Sequence, residues 1–254
     1  MVNISMQVQK HYMAKQWSNA GVREGEILLV HSSIKRTIKE WNCTPDDIIK
    51  SFLIALGTNG TLLLPTFNFD FAKGVPFDIR NTPSHMGALS EAGRSYPGAT
   101  RTGHPFYSFC AIGARAKEFE KINNYSGYGG DSPFAWVDRI ATLDVADENC
   151  MTFYHHIEEM HNVPWRFHKN FNGEYIDKEG VSRKKAYNLF VRKDGVITDV
   201  KGMGELSWWS DICDGNRPFI GSGLKTVSAK ELYRLTSQII TEGKAEGILY
   251  RYEK

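Results

Sequence analysis

Three stretches decide the fold: Glu26-Ile-Leu-Leu-Val30, Thr44-Pro-Asp-Asp47 and Thr61-Leu-Leu-Leu-Pro-Thr-Phe67, all within 42 residues. The first and third are short continuous apolar runs, as expected of strands buried on both faces. The second opens a helix. Thr44 caps it, Pro45 suits its first turn and Asp47 closes a capping box. Ile48, Ile49, Phe52, Leu53 and Leu56 form its apolar face, and Gly57 ends it. Strand, helix and strand at this spacing predict a right-handed βαβ unit.

Outward from that unit the alternation continues. Residues 1 to about 24 read as a polar, partly helical lead-in. Helices are expected over Met86–Tyr96 with Ser84 as cap, over Arg115–Ile122, and from Ser132-Pro133 to Val137. Strands are expected over Phe106–Ile112 and Ala141–Ala146. Asn68–Pro83 and Tyr125–Gly130 read as loops. After Arg166 the period shortens, and Gly173, Gly180 and Asp194-Gly195 suggest antiparallel hairpins to about residue 201. Ser228 to Glu231 forms a capping box for a helix to Gly243, with Leu232, Leu235 and Ile239 facing inward, before a last strand over Gly247–Tyr252. The expectation is one α/β domain spanning residues 1–254, with a mixed central sheet, helices on both faces and an antiparallel addition over about 166–201.

The segment from Met151 to Arg166 carries the chemistry. Phe153, Ile157 and Met160 recur at helical spacing and predict an apolar stripe. His155 points away from that stripe, and Glu158 and Glu159 flank it at i+3 and i+4. Pro164 ends the segment. An imidazole beside carboxylates suits proton abstraction near neutral pH. The segment's location after a core strand matches the place where open α/β sheets bind ligands.

Other chemistries find little support. Glu158-x-x-His161 has half of a di-iron spacing, and no other Glu has a His three residues on. His-Glu-x-x-His and Gly-x-Ser-x-Gly are absent, so a metal site and a serine nucleophile are not expected. Gly127-Tyr-Gly-Gly130 is not a phosphate loop. Cys150 beside the helix reads as a small buried residue rather than a nucleophile. The four cysteines lack Cys-x-x-Cys spacing, which suits reduced thiols in the cytoplasm. The first ten residues lack the apolar core of a signal peptide, and no run of 18 apolar residues occurs. Composition is 41% hydrophobic and 24% charged, which places the chain among soluble globular proteins. A net charge of +2 argues against a nucleic-acid binder. The charge is uneven, however: residues 166–201 hold nine Lys/Arg against five Asp/Glu, including the run Arg183-Lys184-Lys185.

Five stretches, in order, resemble the aminoglycoside 3-N-acetyltransferase family. They are Leu29-Val-His-Ser-Ser33, Gly60 to Phe67, Met86 to Phe109 with His104-Pro105 and Ser108-Phe109, Gly130-Asp-Ser-Pro133, and Thr152 to Arg166. The resemblance implies a three-layer α/β/α sandwich and transfer of an acyl group from coenzyme A to an amino group on a sugar ring. It places His155 as general base and Glu158 as its carboxylate partner. His31, Ser32, Ser33, Lys35, Thr66 and Ser108 fall to the coenzyme side, and Thr152, Glu159, His104 and Asp131 to the acceptor side. Phe153 stands where the family usually has Ser, which implies an altered pocket. A homodimer is expected from the resemblance alone.

An amine attacking a thioester must lose a proton, and a base accepting it typically contributes 10²–10⁴-fold. Near the start of its helix, His155 feels a dipole that disfavours imidazolium, while Glu158 favours it. The basic balance of the chain suggests an anionic acceptor. The leading expectation is therefore a nucleotide-linked amino sugar, such as a dTDP-linked 3-amino-3,6-dideoxyhexose destined for surface polysaccharide. An aminoglycoside, modified to give antibiotic resistance, is the alternative. A non-catalytic binding protein of the same fold is the competing class.

Overall fold

The computed structural model describes residues 6–145, 152–200, 213–214 and 223–253. Ala146, Cys150, Met151 and most of 201–222 lie outside the described residues. The βαβ unit forms as the sequence requires. β1 (Ile27–Ser32) runs parallel to β2 (Thr61–Pro65), and also to β6 (Arg139–Leu143) on its other side. The strands β5 (Phe109–Gly113), β4 (Thr100–Arg101), β11 (Leu224–Ser228) and β10 (Cys213–Asp214) extend the sheet antiparallel. The order β10-β11-β6-β1-β2-β5-β4 makes a mixed sheet.

Period-2 alternation divides the strand side chains between two cores. Leu28, Val30, Leu62 and Leu64 pack against α1 (Met6–Asn19), α3 (Pro45–Leu56) and α4 (Ala88–Arg94) through Trp17, Ile49, Phe52 and Leu89. Leu29, Leu63, Phe109 and Ile140 face α6 (Phe153–Met160) and α7 (Ala229–Thr241) through Phe153, Ile157, Leu232 and Ile239. Phe52 is fully buried, so Phe52→Ala is expected to cost about 3–5 kcal/mol. The Thr44 capping box is complete, with Asp47 N donating to the Thr44 hydroxyl and Thr44 N to the Asp47 carboxylate.

Several local expectations shift. α2 (Lys35–Trp41) has too little apolar periodicity to be read from sequence. β1 runs two residues past the expected Val30, through His31 and Ser32. Ser84 does not cap α4. Its hydroxyl accepts from Met86 N, and Gly87 occupies the cap position. The Arg115 helix shrinks to α5 (Ala116–Phe119), and Pro133–Trp136 is a 3-10 turn. Ser228 accepts from Glu231 N, but Leu235 is only half-buried and Thr236 takes the inner position.

The antiparallel addition is one long hairpin. β7 (Arg166–Ile176) pairs with β8 (Ser182–Arg192) over their full length, and β3 (Phe77–Asp78) joins β7 in parallel. Gly173 is no turn. It lies mid-strand, where a Cβ would stand 2.6 Å from the Phe71 ring. The turn is at Gly180, with φ +84°. β9 (Val196–Thr198) pairs with β12 (Tyr250–Tyr252) in a separate ribbon.

Candidate active site

β1 ends between two parallel neighbours that connect in opposite directions, the position where such sheets leave a crevice at their carboxyl edge. His31 and Ser32 come from that strand end, and α6 follows β6 beside it. The helix is buried more evenly than an amphipathic reading implies. Met160 is exposed despite its place in the predicted stripe, whereas Tyr154, His156 and Glu158 are buried.

His155 and Glu158 meet as the i, i+3 spacing requires, with Nδ1 2.8 Å from Oε2. His155 keeps 19% of its side chain exposed, and Glu158 keeps 2%. A carboxylate so buried needs partners. The Trp165 indole donates to Oε1 at 2.8 Å, and Arg166 Nε lies 2.7 Å from Oε2 as an ionic contact poorly aligned for a hydrogen bond. Arg166 Nη1 donates to the Phe190 carbonyl and Nη2 to the Thr198 hydroxyl. Nη2 also lies 2.8 Å from His155 Nδ1. A proton on Nδ1, donated to Glu158, keeps the carboxylate from facing a bare lone pair, and it makes the Arg166 Nη2 contact with Nδ1 a close approach of two donors rather than a hydrogen bond. Nε2 is then the basic atom.

Burial lowers the His155 pKa below its ordinary value, and the positive charge of Arg166 lowers it further. Glu158 opposes both without reversing them. Burial raises Glu158, but the His155 hydrogen bond, the charges around it and the Trp165 donor outweigh that and hold it below the usual range. At neutral pH the pair is imidazole and carboxylate. Sequence reading missed Trp165 and Arg166 as supports. The signal was their place directly after the Pro164 helix stop. It also missed Tyr128, whose carbonyl accepts from His156 Nδ1 at 2.7 Å and whose ring meets His155 at 5.3 Å.

Two cavities flank the strand end. One, of about 650 Å³, is bordered by Ser33, Lys35, Arg36, Lys39, Asp144 and Lys225. The other, of about 260 Å³, is walled by Phe67, Phe69, Met86 and Tyr107 and touched by His31 and Thr152. His31 Nε2 and Thr152 Oγ1 are buried without hydrogen-bond partners among the described residues. Burial lowers His31 to about 4, so it is neutral. Tyr107 links this cavity to the base through its 4.5 Å ring contact with Tyr128.

Other expected residues sit elsewhere. Thr66 and Ser108 are fully buried and bonded to each other at 3.0 Å, with Arg101 Nε donating to Ser108. They brace the β2–β5 edge and have no surface for a coenzyme. His104 is fully buried too; its Nδ1 accepts from Tyr107 N, and burial lowers its pKa to about 3. It shapes the turn before β5 instead of facing an acceptor. Glu159 accepts from the Ser126 hydroxyl at 2.8 Å. Exposed Asp131 lies close by, so that a Cβ on Gly129 would stand 2.9 Å from Asp131 and 3.4 Å from Glu159. Burial, reinforced by the Asp131 charge, raises Glu159.

The basic excess also has another location. Lys185 lies over the Tyr175 ring at 4.2 Å, Lys169 lies over Phe171 at 5.4 Å, and Arg183 pairs with Asp177. These cations decorate the hairpin and do not line the two cavities at the end of β1.

The fold is a mixed α/β sheet with helices on both faces and a buried His–Glu pair on the helix that follows β6. Residues 29–207 match the model of the aminoglycoside 3-N-acetyltransferase family, and the chain belongs to that family. Aminoglycoside N(3)-acetyltransferase IV of Salmonella sp is 32% identical over 138 residues, covering 54% of this chain and 51% of that protein. Aminoglycoside N(3)-acetyltransferase IX of Micromonospora chalcea is 26% identical over 181 residues, 61% of each chain. These matches span about half to three-fifths of the relatives' own length. The fold matches AAC-IIIb in a binary complex with CoASH at a TM-score of 0.78, with 20% identity over 92% of this chain and 96% of that one. The YokD protein of Bacillus subtilis matches at 0.66, with 18% identity over 91% and 99%.

Proposed function

We propose that the protein is an acyl-CoA-dependent N-acyltransferase acting on an amino group of an aminoglycoside-type sugar. The observation that carries this reading is the His155–Glu158 pair, in which Glu158 holds the Nδ1 proton and leaves Nε2 as the base. Coenzyme A, when bound, supplies the thioester. Ser33, Lys35 and Lys39 border a basic cavity that suits its phosphates, with Arg36 already paired to Asp144 at 3.2 Å. The acceptor nitrogen bonds to the acyl carbon, the carbon–sulfur bond breaks, and His155 Nε2 takes the amine proton. The thiolate leaves and is protonated. The unpartnered Thr152 hydroxyl, one turn before His155, is free to donate to the oxygen that gains charge.

The names of the relatives favour an aminoglycoside over a nucleotide-linked sugar. The cations that argued for an anionic acceptor sit on the hairpin, while the carboxylates Glu159 and Asp131 flank Gly129 beside the base and suit a polycation. Thiol release should be compared between sisomicin and a dTDP-linked amino sugar, with acetyl-CoA as donor and at two salt concentrations. The expected result is a higher kcat/KM for the aminoglycoside, falling with salt. Faster turnover of the nucleotide-linked sugar would reverse the acceptor assignment, and coenzyme binding without turnover of any amine would overturn the enzyme reading.

A further inference from the structure

The polar neighbours of the His155 ring, Glu158 Oε2 and Arg166 Nη2, both approach the same atom, Nδ1, at 2.8 Å. Contacts at one atom leave the ring plane free to pivot, and Nε2 swings with it. A base must point at its proton, so a second point of contact is needed. That contact is aromatic. The Tyr128 ring stands 5.3 Å from the imidazole with the two planes 66° apart, the edge-to-face geometry that rings prefer. Tyr128 itself has little room to yield. It is 4% exposed, and its ring packs on Tyr107 at 4.5 Å and on Phe134 at 6.0 Å. Its carbonyl accepts from the buried His156 Nδ1 at 2.7 Å. Gly127 and Gly129 press the backbone on either side against its neighbours: a Cβ would stand 2.7 Å from Leu189 at the first and 2.9 Å from Asp131 at the second. Gly127 N donates to the Asn188 carbonyl and Asn188 N to the Tyr125 carbonyl, which stitches the loop to β8. Burial raises the Tyr128 hydroxyl well above the ordinary phenol range, so the ring brings no charge to the base.

We infer that Tyr128 is a positioning residue for the base: its clamped ring fixes the plane of the His155 imidazole, and so the direction of Nε2, while Glu158 fixes Nδ1. The inference rests on the reading of His155 as the base and adds the group that aims it. A ring contact suits this task because it does not occupy the Nε2 lone pair, which a second hydrogen bond would. The same residue joins the base to its surroundings. Through its carbonyl it holds His156, the next residue of α6, and its amide faces the Glu159 carboxylate. The loop before the 3-10 turn therefore sets the geometry of the helix that carries the base.

The test is steady-state kinetics of Tyr128→Phe and Tyr128→Leu with acetyl-CoA and sisomicin. Tyr128→Phe keeps the ring and should stay within about threefold in kcat. Tyr128→Leu should lose about tenfold or more in kcat with both KM values within about twofold, because a misdirected base weakens the transition state and not substrate binding. The acid limb of kcat/KM gives a second reading. Among the described residues the charged groups facing His155 are Arg166, from β7, which adds to burial in lowering it, and Glu158, from α6, which opposes both. Without the ring, water reaches the imidazole, so the limb should rise toward about 6.5 in Tyr128→Leu and stay in place in Tyr128→Phe. A leucine variant with unchanged kcat and an unmoved limb would overturn the inference. So would an equal loss in Tyr128→Phe, which would assign the effect to the hydroxyl, or a rise in KM without a fall in kcat, which would place Tyr128 in a binding surface. If Tyr128→Leu does not fold, Tyr128→Met, closer in volume, takes its place with the same expectations. In the unsubstituted protein, nuclear Overhauser contacts between the His155 and Tyr128 rings are expected whatever the variants do, and their absence would also overturn the inference. Retained turnover in His155→Ala would instead overturn the base reading beneath it.

Discussion

The two sides of the strand end are built on opposite principles. On the α6 side every polar atom of Glu158 has a partner: His155, Trp165 and Arg166 close around it. At the neighbouring cavity His31 Nε2, from β1, and Thr152 Oγ1, at the start of α6, have none among the described residues. A carboxylate ringed by partners, even with Arg166 Nε held by charge alone, fixes one geometry, as the proposed base requires before its substrate arrives. A buried polar atom with no partner costs energy until one reaches it. Orientation is thus built into one side, and binding is left to complete the other.

The largest test breaks the ring of partners around Glu158. Arg166→Met removes the cation beside a carboxylate that is only 2% exposed, and should cost about 3–5 kcal/mol in urea denaturation followed by circular dichroism. A loss below about 1 kcal/mol would mean that the network is not what holds Glu158.

Acid sharpens the contrast from the other side. His31 is lowered to about 4 in the folded protein, against about 6.5 in the unfolded chain. Between those values the unfolded chain binds the extra proton, so stability falls as pH drops from about 6.5 to about 4. His31 alone accounts for about 3 kcal/mol of that fall. In His31→Asn the slope of stability against pH should flatten over this window; an unchanged slope would show that His31 is not the neutral, buried group described here.

Next comes His155, the proposed base. His155→Ala should lower turnover at least about a hundredfold while the protein still folds, and Glu158→Gln should cost less activity than that. Because burial and Arg166 lower the His155 pKa, the acid limb of kcat/KM should fall below pH 6.5. A limb above 7 would contradict the assigned electrostatics. The smallest effect is expected at Thr152. Thr152→Val replaces an unpartnered hydroxyl, so stability should stay level or rise by up to about 1 kcal/mol while coenzyme affinity or turnover declines.

What the sequence revealed follows the same division. The βαβ unit was legible because Leu28 to Val30 and Leu62 to Leu64 must be buried on both faces, and Thr44 to Asp47 has one good way to start a helix. The His155–Glu158 contact followed from helical spacing alone. Burial of Glu158 was not legible, since its partners Trp165 and Arg166 act through a turn that helical periodicity does not describe. Thr66 and Ser108 were placed on the coenzyme side by resemblance alone, and their mutual bond and the Arg101 bond are long-range facts that a motif does not carry. The basic run looked like an electrostatic signal. It became a decorated hairpin once Lys185 was found over Tyr175 and Arg183 beside Asp177.

Arg166 braces Glu158 and is also the first residue of an eleven-residue strand whose far end turns at Gly180. The two ends of that hairpin therefore differ in what they tolerate. Doubling the length of the distal turn adds only about 0.6 kcal/mol of closure cost, so an epitope or a fluorophore grafted at 178–180 leaves the root in register. One residue inserted between Trp165 and Arg166 does the opposite: it turns every side chain of β7 to the other face and carries the guanidinium away from its carboxylate. For anyone building on this scaffold, the hairpin tip is a handle and its root is part of the machine.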